Sequence, residues 1–598
     1  MSLNLDFLDR AVAEKVQFYL DHEKNAEFRS QVVELVQKKD GASLAARSVG
    51  KLLFGTAGIR SRMEGGLARL NDLTILQVTT GFAKYIQANL PKEKWSIAIG
   101  FDGRYNSKRW SQMVANVFIH HQIKVYIFSA VAPTPVVSYA VIELQTGAGL
   151  MMTASHNPKT DNGYKAYWSN GAQIIGPHDD GICALADLYP IPAASYWDYE
   201  NVQNDPLYNS ADVVIDKYFA IESSLIYNKK VNEQCPIKFT YSAFHGIGRD
   251  YCIRMFREFG FKAENIVQVK EQCDPNPDFP TIPFPNPEEG ARVLKLCIDT
   301  ADANNSTVIL ANDPDADRIQ LAEKQKDGEW YIFTGNQMGA VITWWMWKNF
   351  KQNNPCADFS KVYMLNSAVS SQIVRTIAKK EGFKSDVTLT GFKWMGNEAE
   401  KIRNEGNQVI LSWEESIGYM PGHTLDKDGV SSAGVFAEIA AFLQVQGKTL
   451  KEKLFEIYTE YGFHLVKSTY WVVPNPSVTQ TLFGDLRKDS QYPTEIGGVK
   501  VRFVRDLTIG YDNEQPFNKP KLPISTSSEM ITFTLENDNV ITLRASGTEP
   551  KIKYYIEMIT ASEKKESDLV EVEKEFLKLE DAVVQQLLNP TKYGLIAR

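Results

Sequence analysis

The sequence predicts an α/β protein: three α/β domains with mixed sheets, followed by a smaller α+β domain. Short β-rich runs alternate with helical patterns through the first three-quarters of the chain, the signature of βαβ units. After about residue 464 the character changes, and "GGVKVRFVRDL", "MITFTLEND" and "VITLRAS" read as an antiparallel sheet. The length, 598 residues, is too great for one core. At roughly 150 residues per domain it suggests about four domains.

The elements follow in order. "MSLNLDFLDRAVAEKV" reads as an amphipathic helix and lacks the basic and apolar regions of a secretory leader. Strands are expected at 96–100, 124–129, 307–311, 362–366 and 408–412. Residues 274–287, "DPNPDFPTIPFPNP", hold too many prolines for helix or strand and predict an extended loop across a domain surface. A charged amphipathic helix over about 561–588 should lay one apolar face on the C-terminal sheet. Domains are expected over 1–212, 213–326, 327–463 and 464–598.

Composition narrows the class. The chain is 43% hydrophobic and 23% charged, as in ordinary globular proteins. A net charge of −8 and a pI near 5.7 argue against a general nucleic-acid surface but leave room for a local cationic pocket. Cys183, Cys235, Cys252, Cys273, Cys297 and Cys356 are scattered, with no Cys-x-x-Cys spacing. That excludes a zinc ribbon or disulfide framework and points to a reducing compartment. No stretch approaches 18 apolar residues, so no membrane partner is expected and the predicted location is cytoplasmic.

Four stretches carry chemistry. In Asp313-Pro314-Asp315-Ala316-Asp317-Arg318, after "TVILAN", alternate residues of an extended segment share a side. Three carboxylates then converge, which is costly unless a cation lies between them. Oxygen ligands favour a hard ion such as Mg²⁺. An EF-hand is excluded, because glycine at the sixth and glutamate at the twelfth loop position are missing. In "MMTASHNP", 151–158, an apolar strand gives way to Ser155, His156 and an Asn-Pro turn. Ser155 thus falls on a loop at a strand's carboxyl end, where α/β proteins keep reactive groups. The Gly-x-Ser-x-Gly elbow of hydrolases is absent.

The third stretch is Arg544-Ala545-Ser546-Gly547-Thr548-Glu549-Pro550. Arginine binds phosphate bidentately, Ser546 and Thr548 add hydroxyl donors, and Gly547 lets backbone N–H groups turn inward. Lys553 could supply another charge. The fourth, Trp413-Glu414-Glu415-Ser416, suits either sugar hydroxyls or the cap of a nearby helix. Arg60 in "FGTAGIRSR", Lys165 in "DNGYK" and Lys393 in "TGFKW" are basic residues set among glycines and aromatics.

Together these stretches resemble the four signatures of the α-D-phosphohexomutase superfamily, in that family's order, from Gly55 to Tyr555. The resemblance implies three related α/β domains and a fourth of different fold around a central cleft. It implies that Ser155 carries a phosphoryl group and that Asp313, Asp315 and Asp317, with a phosphoserine oxygen, hold Mg²⁺. Glu414 and Ser416 correspond to sugar recognition. Arg544, Ser546, Gly547 and Thr548 correspond to a distal phosphate clamp, with Arg318 following the metal loop. Lys165 resembles the lysine proposed for acid–base work, Arg60 and Lys393 resemble active-site basic residues, and His156 belongs to the serine motif as a loop-holding residue.

The sugar loop departs from the hexose pattern Gly-Glu-x-Ser-Gly-His. Trp413 precedes it, "IGYM" follows, and it continues into "LDKDGVS". With "FGTAGIR" and "NGYKAYW" this resembles the eukaryotic phosphopentomutase and phosphoglucomutase-2 branch. Lys553 stands where many relatives carry arginine. The implied function is interconversion of sugar 1-phosphate with 5- or 6-phosphate, with a small phosphosugar as substrate, a sugar bisphosphate such as glucose 1,6-bisphosphate as activator, and a monomer or weak dimer as the assembly. The alternatives are a glucose 1,6-bisphosphate synthase or a non-catalytic phosphosugar binder. A Trp413 side chain facing the cleft would favour pentoses by narrowing the space for a six-carbon ring.

Overall fold

The computed structural model describes residues 3–488, 491–525, 528–546 and 550–597. The first helix starts at Arg10, later than the amphipathic pattern suggests, and runs to His22. Its Val16, Tyr19 and Leu20 share a core with Val32, Leu44 and Leu73, so the helices Ala26–Gln37 and Gly41–Ser48 fold back onto it. Asn25 caps the second helix by accepting the N–H groups of Glu27 and Phe28.

The first sheet has six strands: β1 (Ile59–Arg62), β2 (Ser96–Phe101), β3 (Lys124–Ile127), β4 (Ala148–Met152), β5 (Asp161–Trp168) and β6 (Tyr208–Ser210). Their order is β1-β5-β4-β2-β3-β6. β4, β2, β3 and β6 run parallel, while β5 and β1 add an antiparallel edge. β2 and β4 are almost wholly buried apolar runs, as expected for strands covered on both faces.

The second sheet repeats the plan with β7 (Phe239–Ser242), β8 (Ile266–Gln268), β9 (Val308–Asn312), β10 (Ile319–Lys324) and β11 (Trp330–Ile332), in the order β11-β10-β9-β7-β8. β8, β7 and β9 are parallel, and β10 and β11 antiparallel. A third set shows the same mixture. β12 (Val362–Ser367) and β13 (Lys384–Thr388) pair parallel, and β14 (Gln408–Glu414) pairs antiparallel with β15 (Gly418–Met420).

The C-terminal region is an antiparallel sheet. It contains β16 (His464–Val472), β17 (Glu495–Ile496), β18 (Val499–Asp506), β19 (Tyr511–Asp512), β20 (Ser528–Leu535), β21 (Val540–Ser546), β22 (Lys551–Ile559) and β23 (Ile596–Ala597). Seven of them follow the order β17-β18-β20-β21-β22-β16-β23, and β19 pairs with β18. The final long helix, Leu569–Val583, starts later than the charge pattern suggests. It buries Val572, Phe576, Leu579 and Val583 on one face. Residues 274–286 form a loop apart from two 3₁₀-type turns, in keeping with their prolines.

By contacts the chain divides into two compact units, Met1–Met338 with Thr390–Thr449, and Gly339–Leu389 with Leu450–Arg598. Segment 327–463 therefore contributes to both units, because the chain passes into the second and returns before leaving again. The cysteines are free. Among the described residues no helix is long and apolar enough to cross a membrane.

Candidate active site

β4 ends at Met152, and the chain turns at once. Ser155 has φ +53° and accepts strain that its neighbours fix: its N–H donates to Thr153 Oγ1 at 2.8 Å, and Asn157 N–H donates to the Ala154 carbonyl at 3.1 Å. The Ser155 side chain is 1% exposed. Its Oγ donates to Asp313 Oδ2 at 3.0 Å and lies 3.3 Å from His156 Nδ1. Burial, then the cations Arg318 and Arg60, hold the His156 imidazole well below its usual pKa. It is therefore a neutral ring at neutral pH, stacked edge-on against Phe284.

The metal loop follows β9 in the same way, with Ala316 at φ +56°. Asp313, Asp315 and Asp317 are fully buried, and one oxygen of each lies within 4.8 Å of the others. Asp313 Oδ1 accepts the Arg318 N–H at 3.0 Å. Asp315 Oδ2 accepts from Thr134 Oγ1 and from Lys165 Nζ, both at 2.7 Å. Lys165 also reaches Asp317 Oδ2 at 2.8 Å. Asp315 Oδ1 and Asp317 Oδ1 are buried without a hydrogen-bond donor. Oxygens in that state are costly unless a cation meets them. The donor set is all oxygen, so the residues fit a hard divalent ion such as Mg²⁺.

The electrostatics agree. Burial, then repulsion from Asp315 and Asp317, pushes Asp313 well above the ordinary carboxylate range. Burial also opposes ionisation of Asp317, but Lys165, Lys427 and Arg318 outweigh it and hold that group low. Lys165 is driven the other way from a free base: burial would lower it, yet Asp315 and Asp317 raise it above its usual value.

The other expected residues divide by position. Arg60 on β1 donates to Asn157 Oδ1 at 3.1 Å, and so braces the serine loop. Arg318 is 8% exposed and pairs with Glu288 at 2.7 Å. Glu414, 4% exposed at the end of β14, accepts the Gly391 N–H at 3.1 Å. Gly391 precedes the helix Phe392–Asn404, so this carboxylate holds the backbone just before that helix. Lys393 donates to the Gly55 carbonyl at 3.2 Å and lies 3.9 Å from Asp179. It thus ties the sugar loop's neighbour to the loop that leads into Arg60, with no contact to Ser155. Ser416 lies half-buried in the turn between β14 and β15.

Trp413 is fully buried. Successive residues on a strand point to opposite faces, so it turns away from the side that carries Glu414. It leaves no surface to narrow a sugar pocket, which removes the expected physical basis of a pentose preference.

In the second unit Arg544 and Lys553 sit directly opposite one another on β21 and β22. Like charges at that spacing repel unless an anion lies between them. Neither has an ion-pair partner among the described residues. Gly547 and Thr548 lie outside the described residues, as does the Ser546 side chain.

Sequence reasoning missed four contributors. Arg104 donates to the carbonyls of Ser155 (2.5 Å), Asn157 (2.6 Å), Pro158 (2.8 Å) and Asp161 (3.1 Å), gripping the serine loop from below. Asp102, 3.3 Å from its Nε, holds it in place. The available signal was "FDGR" at the end of an apolar strand. Lys427 lies 3.3 Å from Asp317 and belongs to the noted "LDKDGVS". Thr134, first residue of the helix Thr134–Glu143, gave no signal.

Residues 51–189, 217–328 and 334–461 match, in order, the α/β/α domains I, II and III of phosphoglucomutase/phosphomannomutase. The chain belongs to this family. It lies within the α-D-phosphohexomutase superfamily, and its relatives place it in the phosphoglucomutase-2 branch. It is 42% identical to a phosphopentomutase of Homo sapiens over 98% of this chain and 97% of that one. It is also 42% identical to a glucose 1,6-bisphosphate synthase of Homo sapiens, over 99% and 96%. A phosphoribomutase of Saccharomyces cerevisiae is 35% identical, over 95% and 96%. The fold is shared with parafusin, a phosphoglucomutase of Paramecium, at a TM-score of 0.62 and 18% identity, over 90% of this chain and 96% of that one. As a member of the phosphoglucomutase/phosphomannomutase family the chain is a phosphotransferase of the mutase type.

Proposed function

We propose that this mutase interconverts the 1-phosphate of a pentose or hexose with its 5- or 6-phosphate, through a phosphoserine at Ser155 and a sugar bisphosphate. The observation that carries the reading is the buried Ser155 hydroxyl, 3.0 Å from a carboxylate of the acidic triad and held on a strained turn. A binding protein has no use for a nucleophile kept there.

Ser155 first carries the phosphoryl group on Oγ. The free hydroxyl of the sugar monophosphate attacks phosphorus, the Oγ–P bond breaks, and a bisphosphate results. In the second half-reaction Ser155 Oγ attacks the other phosphate, so that the phosphoserine is restored and the isomeric monophosphate leaves. Each half-reaction moves one proton between a sugar hydroxyl and the protein. Lys165, in contact with Asp315 and Asp317, is the group assigned to that transfer, while His156, 3.3 Å from Ser155 Oγ, belongs to the loop that holds the serine. Mg²⁺, held by Asp313, Asp315, Asp317 and the phosphoserine, would neutralise charge on the transferred group. Arg104 and Arg60 keep the loop in place; Arg544 and Lys553 are assigned the phosphate that does not react.

Relatives bear the names of both mutase and bisphosphate synthase. A synthase would reload Ser155 from a glycolytic acyl phosphate and release the bisphosphate. Product analysis separates them: the mutase reading expects isomerised monophosphate as the main product, with bisphosphate needed only in catalytic amounts. Accumulation of bisphosphate from an acyl phosphate donor would favour the synthase.

Two further outcomes are expected. Arg544→Ala should raise KM for pentose and hexose phosphates alike, by about 2–3 kcal/mol for a lost charged donor; loss with one sugar only would place Arg544 in sugar recognition. With ribose 1-phosphate and glucose 1-phosphate assayed side by side, both should turn over, with kcat/KM favouring the pentose. The preference rests on the branch, since Trp413 is buried. Differences of a methylene in such pockets are worth about 1–3 kcal/mol. A clear preference for glucose 1-phosphate would refute the pentose preference and leave the mutase standing.

A further inference from the structure

The second unit holds another concentration of positive charge that phosphosugar chemistry at Ser155 does not use. A concavity of about 420 Å³ opens between the helix Ile373–Glu381 and the sheet around β18, β20, β21 and β22. Arg375, Lys379, Lys380 and Arg502 line it together with Asp538, and Glu514 and Glu460 pair with Arg375 and Lys380 from outside the lining. The chain as a whole carries 65 basic and 73 acidic residues, so this excess of cations is local.

The positions of these cations are unfavourable without a counter-charge. Arg375 is the third residue of its helix, where backbone N–H dipoles disfavour a cation. Arg375 and Lys379 are four residues apart, the spacing at which like charges weaken a helix. Arg502 occupies the irregularity where the register of β18 against β20 slips between Val501 and Phe503. Bulges of that kind re-aim a side chain. Arg375 pairs with Glu514 at 2.8 Å, Lys380 with Glu460 at 3.6 Å, and Arg502 with Asp538. These pairs are 29% exposed or more, hence weak and exchangeable. Lys379 is exposed and has no ion pair among the described residues.

The place is distinct from Arg544. Val540, which lines the concavity, and Arg544 lie four residues apart on β21. At roughly 3.3 Å per residue that is about 13 Å, and the Arg544 loop leaves from the opposite end of the strand. We propose that this concavity is a second anion site that takes a small phosphorylated metabolite, independently of the reacting centre. Its volume falls within the range of small-molecule sites. Cations on both walls suit phosphate oxygens between them, with the arginines able to bind in bidentate fashion. Gln372 also lines it, and its N–H donates to both oxygens of Glu557 on β22, at 2.9 and 2.8 Å. An occupant therefore contacts the residue that fastens the helix to the sheet.

The test is acetylation footprinting of the full-length protein, with pyrophosphate as the probe and chloride at matched ionic strength as the control. Peptide mass spectrometry compares Lys379 with Lys38, an exposed lysine of the N-terminal helices. Pyrophosphate should protect Lys379 saturably, at least fivefold, and leave Lys38 unchanged. The protection should vanish in Arg502→Ala and persist in Arg544→Ala. Protection equalled by chloride or seen equally at Lys38, no protection, survival in Arg502→Ala, or loss in Arg544→Ala would each overturn the proposal.

Discussion

Ser155→Ala is expected to lower turnover by several orders of magnitude while leaving the fold intact. The covalent route needs an oxygen that can bond to phosphorus, and no other hydroxyl takes that place. The structural cost is small. The substitution removes one hydrogen bond to Asp313, whose other oxygen keeps the Arg318 N–H. A lost bond of that kind is worth about 1 kcal/mol, a shift of a few degrees in Tm. Thermal unfolding beside initial rates checks both halves. Wild-type activity in the alanine variant would remove the phosphoserine from the mechanism.

The second large effect is expected at the acidic triad. Asp315→Asn keeps the shape that accepts from Thr134 and Lys165 but withdraws a charge from the group whose Oδ1 is buried without a donor. Charge neutralisation by a metal ion is worth several kcal/mol at the transition state, so turnover should fall by roughly a hundredfold or more. The concentration of Mg²⁺ needed for half-maximal rate should rise with it. Chelation with EDTA should silence the wild-type enzyme, and added Mg²⁺ should restore it. Activity indifferent to EDTA would show that the three aspartates serve another purpose.

The residues legible in the sequence were those whose geometry is local. Asp313, Asp315 and Asp317 do converge, but on a turn closed by the Ala316 N–H to the Asp313 carbonyl rather than by alternation along an extended segment, and Ser155 is presented because an apolar strand ends three residues before it. The mixed sheets were legible for a similar reason, since buried strands and intervening helices have different periods. Arg104 was not legible, because its role depends on carbonyls more than fifty residues away. Lys427 likewise meets Asp317 across more than a hundred residues of chain. Trp413 is a different case. Strand parity sets it on the face opposite Ser412 and Glu414, but all three are buried, so only the fold shows that its ring has no free surface. Glu414 shows what motif reading leaves out: only the fold shows that its carboxylate accepts the backbone N–H just before the Phe392–Asn404 helix.

The most direct test of a phosphoserine mutase is the intact mass of the purified protein before and after incubation with glucose 1,6-bisphosphate. The account predicts that the protein gains, or already carries, one phosphoryl group, that fragmentation maps it to Ser155, and that added sugar monophosphate removes it. A protein whose mass never changes and carries no phosphoryl group, or one phosphorylated at another residue, would contradict it.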